Sequence, residues 1–380
     1  MERLLAIDGR PANEEQRAGI GNFCAELLRE LPRVAAGAGW RVRVYLDAPP
    51  RAGFPVAGEQ VEFRILPGCR LWTHRRLGPA LRRERPDVFY APGVQVPVMA
   101  GCPTMATIYD LAVMRYPQEF TLKRRCLAQL ELRHARRACA GFVAISATTR
   151  DDVVDLLGAL PEQVTLAPPG CGAQFRPCPD QAAKDALRAR MGLKRPYVLY
   201  VGRIQPRKNL IRLMEAFDRV CARHADWPHE LVIAGARGWM DEPILAAAKR
   251  LACADRIRLT GFVPDAELPV LMAGAELFAL VSLWEGFGMP LIEAMACGAP
   301  TITANSSALD EVAGEAALRV DPEDTEAIAC AMERLLADPA LRAALVEKGL
   351  EQAKLFTWAE TAQNVIRAAS KAAATKERTA

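Results

Sequence analysis

Short apolar runs alternate with longer helical patterns through almost the whole chain of 380 residues. The runs are apolar on both faces, which is typical of parallel strands that are covered by helices on both sides. The sequence therefore predicts an α/β protein with two doubly wound parallel sheets, separated by the proline- and glycine-rich segment 168–180. The predicted strands are Leu4–Asp8, Val42–Leu46, Val61–Ile65, Asp87–Tyr90, Thr104–Tyr109, Gly141–Ile145 and Val164–Ala167 before that segment, and Tyr197–Val201, Glu230–Ala234, Arg256–Leu259, Glu276–Val281, Pro300–Thr303 and Leu318–Val320 after it.

Segment 168–180 shows no periodicity, and we interpret it as the linker between two domains. We place an N-terminal domain at 1–175, a second domain at 176–356 and a last helical segment at 357–380. Ligands of such sheets lie at the carboxyl ends of the strands, so we expect them in a cleft between the two domains. The helical patterns of the first domain include Gly21–Ala35, Leu71–Arg85 and Thr121–Ala140.

The composition excludes several classes of protein. Apolar residues make up 51% and charged residues 25%, as in ordinary globular proteins, and the net charge of +4 is too small to indicate nucleic-acid binding. The eleven cysteines are irregularly spaced, form no Cys-x-x-Cys pair and do not combine with the four histidines at zinc spacing. We expect reduced cysteines, no bound metal, no membrane span and a cytoplasmic location.

The most informative segment is SLWEGFGMPLIEAMACG, residues 282–298. We expect a buried strand to end at its start and a glycine-rich loop to follow, with Pro290 and Glu293 in the first turn of a helix that stops at Gly298. Such a loop presents backbone N–H groups at the positive end of a helix, where phosphate or sugar oxygens bind. Glu285 and Glu293 can accept hydrogen bonds from vicinal sugar hydroxyls, although two carboxylates here can also simply favour the helix dipole.

A second segment, YVLYVGRIQPRKNL at 197–210, carries two cations beyond a predicted strand. The strand ends at Gly202, and Arg203 and Lys208 follow in the loop that leads into a helix. Two cations beside a helix N-terminus can neutralise a diphosphate, whereas the alternative is a solvated basic loop. Their place at the carboxyl end of a strand favours the binding site.

Two candidate sites lie in the first domain. Gly19 and Gly21 precede a helix, but a dinucleotide fingerprint requires a glycine or alanine where Cys24 stands and a shorter loop after the strand. We therefore interpret them as a glycine loop that faces the cleft. Tyr109 and Asp110 lie at the end of a strand, where they contact a ligand or where Asp110 caps the next turn.

These segments resemble the family 4 retaining glycosyltransferases, whose GT-B architecture consists of two Rossmann-like domains facing a cleft. The resemblance covers nearly the whole chain and rests mainly on the C-terminal half. There the matching stretches are VGRIQPRKNL, LVIAGARGWMDEPIL, IRLTGFVPDAELPVLMAGAELFALVSLWEGFGMPLIEAMACGAPTITANSSALDEVAG and FTWAETAQNVI.

The resemblance implies roles for the nucleotide-binding residues. It implies that Arg203 and Lys208 bind the diphosphate of a nucleotide-sugar donor and that Glu293 accepts hydrogen bonds from the ribose hydroxyls. It also implies that the helix after residue 357 packs on the N-terminal domain. No metal or other cofactor is expected, since the chain has no Asp-x-Asp pair to hold a divalent ion.

The resemblance also implies contacts with the transferred sugar. Glu285 and the backbone of Phe287, Gly288 and Met289 would contact the sugar and the adjacent phosphate, and the Gly19–Gly21 loop would close over the phosphate. At Tyr109-Asp110 the chain departs from the family, many members of which have His-Asp. The tyrosine hydroxyl can bond to a sugar hydroxyl but carries no charge at neutral pH.

The activity implied is retaining transfer of a hexose from a nucleotide-diphosphate sugar to an acceptor hydroxyl of a glycan, polysaccharide or glycolipid. The stretches Arg115-Tyr116-Pro117 and Gly238-Trp239 resemble bacterial mannosyltransferases of polysaccharide and O-antigen assembly and favour GDP-mannose over UDP-glucose or another UDP-sugar. Alternatives are a nucleotide-sugar epimerase or sugar phosphorylase of the same fold, and a binding subunit without activity.

Segment 64–150 is strongly basic, with fifteen basic and five acidic residues and thus a net charge of +10. Within it, RLWTHRRLGPALRRERP combines cations with Leu71, Trp72, Leu77 and Leu81. Such a surface can dock on anionic lipid headgroups at the inner face of a membrane, which a lipid-linked acceptor would explain. The alternative is a solvated helix face.

Overall fold

The computed structural model describes residues 2–15, 17, 19–55, 61–178 and 180–379, and for 376–379 the backbone only. Pro179 of the predicted linker lies outside the described residues. The chain divides into two units. The first comprises Met1–Arg115, Leu122–Gly170 and Thr357–Ala380, and the second comprises Tyr116–Thr121 and Cys171–Phe356.

In the described part of the first unit, seven parallel strands form one sheet in the order β3-β2-β1-β4-β5-β6-β7. The central strands β1, β4 and β5 are buried over most of their length, as their unbroken apolar sequences require. The strands are β1 (Arg3–Asp8), β2 (Trp40–Leu46), β3 (Val61–Ile65), β4 (Val88–Ala91), β5 (Thr104–Ile108), β6 (Gly141–Ala144) and β7 (Val164–Leu166).

In the second unit, six parallel strands form a sheet in the order β10-β9-β8-β11-β12-β13 among the described residues. The order reverses between β8 and β11, and doubly wound sheets bind ligands at the carboxyl ends of the strands on either side of such a reversal. The strands are β8 (Tyr197–Val201), β9 (Glu230–Ala234), β10 (Ile257–Gly261), β11 (Leu277–Leu280), β12 (Thr301–Ala304) and β13 (Ala317–Val320).

Helices connect the strands and cover both sheets. The α-helices of the described residues are α1 (Ile20–Gly37), α2 (Gly78–Glu84), α3 (Ala112–Arg115), α4 (Leu122–Ala138), α5 (Ala147–Asp155), α6 (Gln181–Met191), α7 (Leu210–Arg223), α8 (Glu242–Arg250), α9 (Leu268–Ala273), α10 (Met289–Ala296), α11 (Ser307–Ala313), α12 (Thr325–Ala337), α13 (Pro339–Lys354) and α14 (Trp358–Thr379). None of these helices combines the length and the hydrophobicity that crossing a membrane requires.

The last helix, α14, packs against α1 within the first unit. Its inward face carries small and aliphatic side chains that are buried, among them Ala362, Val365 and Ala369. At its start the Trp358 ring lies 5.3 Å from the ring of Phe23 in an edge-to-face arrangement. The C-terminal segment of the chain therefore completes the core of the N-terminal half.

All thirteen strands expected from the sequence are present in the described residues, with ends shifted by at most a few residues, and the two-sheet α/β architecture is confirmed. The predicted helix Leu71–Arg85 was wrong in part. Leu71 adopts a left-handed backbone conformation with φ +58°, a π-helical turn follows at Thr73–Leu77, and only Gly78–Glu84 is α-helical.

One short segment also departs from the expected domain boundaries. Tyr116–Thr121 lies within the range 1–175 that we assigned to the N-terminal domain, but its contacts place it in the second unit. The physical reason is aromatic packing that the strand pattern does not reveal, since Phe120 stacks on Trp239.

Candidate functional site

A glycine follows each of β8 and β9, and at these glycines the two chain segments approach each other closely. A Cβ atom on Gly202 would lie 2.5 Å from the Tyr200 hydroxyl oxygen, and one on Gly235 would collide with the Gly202 carbonyl. Both glycines have positive φ angles, +155° and +153°. Glycine is therefore required at the point where the chain turns from β8 into the loop that carries Arg203 and Lys208.

This loop is held in place by a buried asparagine that sequence reasoning missed. Asn209 has a left-handed conformation, with φ +59°, and directly precedes α7. Its side-chain amide donates hydrogen bonds to the carbonyls of Val281, at 2.9 Å, and Pro322, at 2.6 Å. Since asparagine tolerates this conformation better than most residues, an Asn before a helical pattern was the available signal. The asparagine joins the Lys208 loop to the carboxyl end of β11.

Glu285 lies at the centre of a charged cluster. It is 7% exposed, and its carboxylate pairs with the Lys208 ammonium and, at 3.1 Å, with Nη1 of Arg207. The Ser282 hydroxyl donates a further hydrogen bond to it at 2.7 Å, and Arg207 also donates to the Trp284 carbonyl. The structure therefore brings together two predicted site residues, Lys208 and Glu285, and adds Arg207, which the sequence did not single out.

The charge of this cluster is fixed by its surroundings. Burial by itself raises the pKa of Glu285, but the positive charges of Lys208 and Arg207 and the hydrogen bonds from Lys208 and Ser282 outweigh it and lower the pKa to about 2. Glu285 is therefore ionised at any pH near neutral. A buried carboxylate with two cations is a positively charged group overall, which suits a site for an anion.

Arg203 differs from Lys208 in its surroundings. Its side chain is exposed and forms no ion pair among the residues that the structure describes, while its carbonyl accepts a hydrogen bond from Tyr200 at 3.4 Å. Its guanidinium retains its full hydrogen-bonding capacity for a planar anionic partner such as a phosphate.

Helix α10 begins directly after this cluster. Its N-cap, Gly288, has φ +96°, and a Cβ atom there would lie 2.5 Å from the side chain of Leu309. The Phe287 side chain is buried against Phe356, with ring centroids 5.3 Å apart, so that only its backbone can face a ligand. The first amides of a helix have no partner inside it, and those of Met289 and its neighbours are therefore suited to bind an anion.

Glu293 lies one turn further along α10 than we expected. The helix begins at Met289, so Glu293 opens the second turn and not the first. It is half-buried, and its negative charge adds to burial in raising the pKa of Cys171 and Cys297 to about 12. The helix ends at Ala296, and Gly298, the stop that the sequence indicated, follows two residues later with φ +80°.

The glycines of the first unit have different structural roles. Gly19 is the N-cap of α1, with φ +43°. Gly21, the first residue of the predicted helical pattern Gly21–Ala35, lies inside the first turn of α1, where a Cβ atom would be 2.8 Å from the Pro11 carbonyl oxygen. Gly19 is therefore required by its backbone conformation, and Gly21 by close packing.

Tyr109 and Asp110 follow β5 and are tied to the first unit. The Tyr109 hydroxyl donates a hydrogen bond to the Pro92 carbonyl at 2.8 Å, its ring packs edge-on against Phe23, and burial raises its pKa well above the usual range. The Asp110 carboxylate accepts a hydrogen bond from the Ala112 amide at 3.0 Å, at the start of α3. The capping alternative for Asp110 thus describes its observed contact.

Within the described residues, no group of three or more His, Cys, Asp or Glu side chains is arranged to hold a metal ion. The buried charges at the carboxyl end of the second sheet are instead arranged around Glu285.

Two family models match the chain over successive ranges. The model described as Glycosyltransferase Family 4 matches residues 17–174, and the one described as Glycosyl transferases group 1 matches residues 184–352. The chain belongs to glycosyltransferase family 4. The residues matched by the second model include the Lys208–Glu285 cluster and α10.

Curated relatives of this glycosyltransferase include sugar transferases from bacteria. The chain is 28% identical to the O-antigen chain mannosyltransferase B of Escherichia coli over 80% of this chain and 79% of that protein. It is 29% identical to the mannosylfructose-phosphate synthase of Agrobacterium fabrum over 69% of this chain and 59% of that protein. The chain therefore spans less than two thirds of the length of the second relative.

Solved structures share the fold. Anabaena Alr3699/HepE, in complex with UDP and glucose, superimposes with a TM-score of 0.75 and 17% identity over 97% of this chain and all of that chain. WaaG, a glycosyltransferase involved in lipopolysaccharide biosynthesis, superimposes with a TM-score of 0.70 and 18% identity over 96% of this chain and 99% of that chain. The GT-B fold expected from the sequence is therefore confirmed.

Proposed function

We propose that this glycosyltransferase moves a hexose from a nucleotide-diphosphate sugar to an acceptor hydroxyl with retention of configuration and without a metal ion. The observation that carries the proposal is the cluster of Lys208, Arg207 and Glu285 beside the N-terminus of α10. Together with the exposed Arg203, this cluster supplies the positive charge that a diphosphate needs in the absence of a cation.

Each residue of the cluster has a distinct task in this mechanism. Arg203 and Lys208 bind the diphosphate and stabilise the negative charge that grows on it as the bond from the anomeric carbon to the phosphate oxygen breaks. Glu285 orients Lys208 through their ion pair and, with the backbone of 287–289, contacts the sugar. Glu293 accepts hydrogen bonds from the ribose hydroxyls.

The acceptor attacks from the face that the phosphate leaves. Its oxygen forms the new bond to the anomeric carbon, and its proton passes to an oxygen of the departing diphosphate, so that no protein base is required. For the first unit we propose that the segment Gly19–Gly21 at the start of α1 closes over the phosphate and that Asp110 and Tyr109 line the acceptor side. The hydroxyl proton of Tyr109 is committed to Pro92, so a sugar hydroxyl would donate to the Tyr109 oxygen.

For the donor we propose GDP-mannose, with UDP-glucose or another UDP-sugar as the second candidate. Relatives named as mannosyltransferases favour the first, and the fold neighbour with bound UDP and glucose favours the second. A thermal-shift screen of GDP, UDP, ADP and dTDP with EDTA present separates them. The product nucleotide is expected to stabilise the protein by about 2.7 kcal/mol at a hundredfold excess over its Kd, and the others much less.

The transfer reaction is tested with GDP-mannose and UDP-glucose against glycan acceptors, with the anomeric configuration of the product read by NMR. Retention and full turnover in EDTA are expected. An inverted product, or loss of turnover that added Mg²⁺ restores, would contradict the mechanism.

We further propose a cytoplasmic enzyme that contacts the inner face of an anionic membrane through its basic segment 64–150. The prediction of which apolar residues lie on this surface was wrong in part, since Trp72, Leu77 and Leu81 are buried in the first unit. Leu71 remains, 61% exposed, and it lines a cavity of about 550 Å³ with other aliphatic side chains. The exposed aliphatic residues of that cavity are Leu71, Val98, Leu127 and Leu130.

Pelleting with anionic and neutral liposomes, at low and at physiological salt, tests this contact. Binding to anionic vesicles that weakens with salt and is lost in Leu127→Glu is expected, while Leu355→Glu, an exposed leucine of the second unit, serves as the control. No binding at either salt concentration would contradict the membrane proposal and leave the transfer reaction unaffected.

A further inference from the structure

Residues Tyr116–Thr121 form a strap that belongs to the second unit although its chain neighbours do not. Helix α3 before the strap and helix α4 after it are parts of the first unit. Arg115, the residue before the strap, donates two hydrogen bonds to Asp152 of α5, at 2.9 and 2.6 Å. Arg115 is therefore held within the first unit, whereas the six residues of the strap pack within the second unit.

The middle of the strap binds the loop that follows β9. The Phe120 ring stacks on the Trp239 ring, with centroids 5.5 Å apart, and the Trp239 indole N–H donates a hydrogen bond of 2.8 Å to the Glu119 carbonyl. Trp239 follows Gly238, whose amide donates to the Ile204 carbonyl at 2.8 Å. The strap is thereby connected through a single short loop to the residue next to Arg203.

The loop after β9 packs closely against the segment that carries Arg203. A Cβ atom on Gly238 would lie 2.5 Å from the Ile204 carbonyl oxygen and 3.1 Å from Cγ of Arg203. Met240, directly after Trp239, has φ +54°, which is unfavourable for an unbranched apolar residue. Strain of this kind persists where the surrounding contacts hold a residue in a required position. Met240 is the direct neighbour of Trp239, whose ring stacks on the strap.

The first residue of the strap contacts the second loop of the donor site. The Tyr116 ring lies 5.9 Å from the Trp284 ring. Trp284 immediately precedes Glu285, and its carbonyl accepts a hydrogen bond from Arg207. The strap therefore touches the residue that positions the charged cluster.

The strap also carries a partly buried carboxylate. Burial raises the pKa of Glu119, and the positive charge of Arg212 partly offsets this effect. Arg212 donates a hydrogen bond of 3.0 Å to the side chain of Asn209, the residue after Lys208. The strap thus contacts the loop after β9 through Phe120 and Glu119, and the Glu285 loop through Tyr116.

We propose that the strap is a positioning element of the donor site, in which Phe120 and Tyr116 hold the Arg203 loop and the Glu285 loop at a fixed spacing through Trp239 and Trp284. This inference rests on the proposed function, because it assigns the strap to the same diphosphate site. Fixed spacing matters most when charge develops on the leaving diphosphate, since preorganised donors stabilise the transition state more than the bound substrate.

The test is steady-state transfer kinetics of Phe120→Ala. We expect kcat to fall by about tenfold or more while the donor KM changes by less than about twofold, because the substrate still binds but the cations are misplaced. Phe120→Tyr, which keeps the stacked ring, is expected to restore kcat to within about twofold of the wild-type value. Trp239→Phe keeps a ring but loses the bond to Glu119, and an intermediate loss is expected.

Trp227→Ala is the matched control. Its ring also stacks on a neighbour in the second unit, with 3.9 Å between the centroids of Trp227 and His224, but it lies before the opposite end of β9. Trp227→Ala is expected to lower Tm without changing kcat. An equal loss of kcat in Trp227→Ala, or unchanged kcat in Phe120→Ala, would overturn the proposal.

A double-mutant cycle keeps the test valid if the single variants are unstable. Phe120→Ala combined with Trp239→Ala is expected to lose no more kcat than either change alone, because both remove the same contact. Independent, multiplying losses would contradict a shared positioning role.

If the proposed function itself is wrong, Lys208→Ala retains activity; if only the strap inference is wrong, Lys208→Ala is inactive and Phe120→Ala is normal.

Discussion

The carboxyl ends of the two sheets carry similar residue types, but the charged and polar side chains there have different partners. In the second unit, Lys208 and Arg207 form a buried cluster with the Glu285 carboxylate. In the first unit, the Tyr109 hydroxyl and the Asp110 carboxylate each bond to the backbone of their own unit. Strand-end position alone therefore does not make a charged site. The second unit differs in that two cations share one buried carboxylate.

Removing Glu285 is expected to have the largest effect on the second unit. Glu285→Ala leaves two cations without their shared buried carboxylate, and we expect a loss of about 3–5 kcal/mol in the free energy of unfolding. Urea denaturation followed by circular dichroism measures this. A loss below about 1 kcal/mol would mean that the cluster is not the electrostatic centre of the unit.

Lys208→Ala and Arg203→Ala test whether these two cations bind the diphosphate. Each is expected to slow transfer by at least about a hundredfold, because each removes a group that stabilises the leaving diphosphate. The controls are Lys249→Ala and Arg250→Ala, exposed cations at the end of α8 in the same unit. Near wild-type kcat/KM in both cluster variants would show that the diphosphate binds elsewhere.

The low pKa of Glu285 makes a prediction about pH. Its pKa of about 2 lies below the ordinary value of 4.5, so its stabilising contribution is fully present above about pH 4.5 and is lost as the pH falls toward 2. A shift of this size corresponds to about 3 kcal/mol. Urea unfolding between pH 7 and pH 3 should show a steeper acid loss in the wild type than in Glu285→Gln. Parallel curves would contradict the assigned ion pairs.

Tyr109→Phe tests the first unit and is expected to have the smallest effect. The change removes the hydrogen bond to the Pro92 carbonyl and should cost about 1–2 kcal/mol of stability. Transfer is expected to slow by less than about fivefold, since the tyrosine supplies no charge. A loss comparable to that of Lys208→Ala would show that Tyr109 takes part in the reaction and would contradict the difference between the two units.

Much of the fold could be predicted because its strands are continuous apolar runs, which only a sheet covered on both faces buries. Lys208 and Glu285 could be singled out because each follows such a run. The orientation of Arg207 could not be predicted, since neighbouring cations in a short 3-10 turn look alike in sequence. The strap escaped prediction for a similar reason: stacking of Phe120 on Trp239 joins residues that are far apart along the chain.

The break in the predicted helix Leu71–Arg85 has a different cause. The spacing of its apolar residues indicates a helix, but Gly78-Pro79 interrupts the stretch, and Trp72 near its start is buried and donates to the Leu66 carbonyl at 2.8 Å. The local sequence pattern therefore predicts the strands and helices, whereas long-range packing determines which side chains can contact a ligand.

A crystal structure with the matching nucleoside diphosphate, grown in the presence of EDTA, tests the central claim most directly. We expect phosphate oxygens within about 3.2 Å of Arg203, of Lys208 and of the first amides of α10. Phosphates bound away from the carboxyl end of β8, or seen only when a divalent ion is supplied as a bridge, would contradict it.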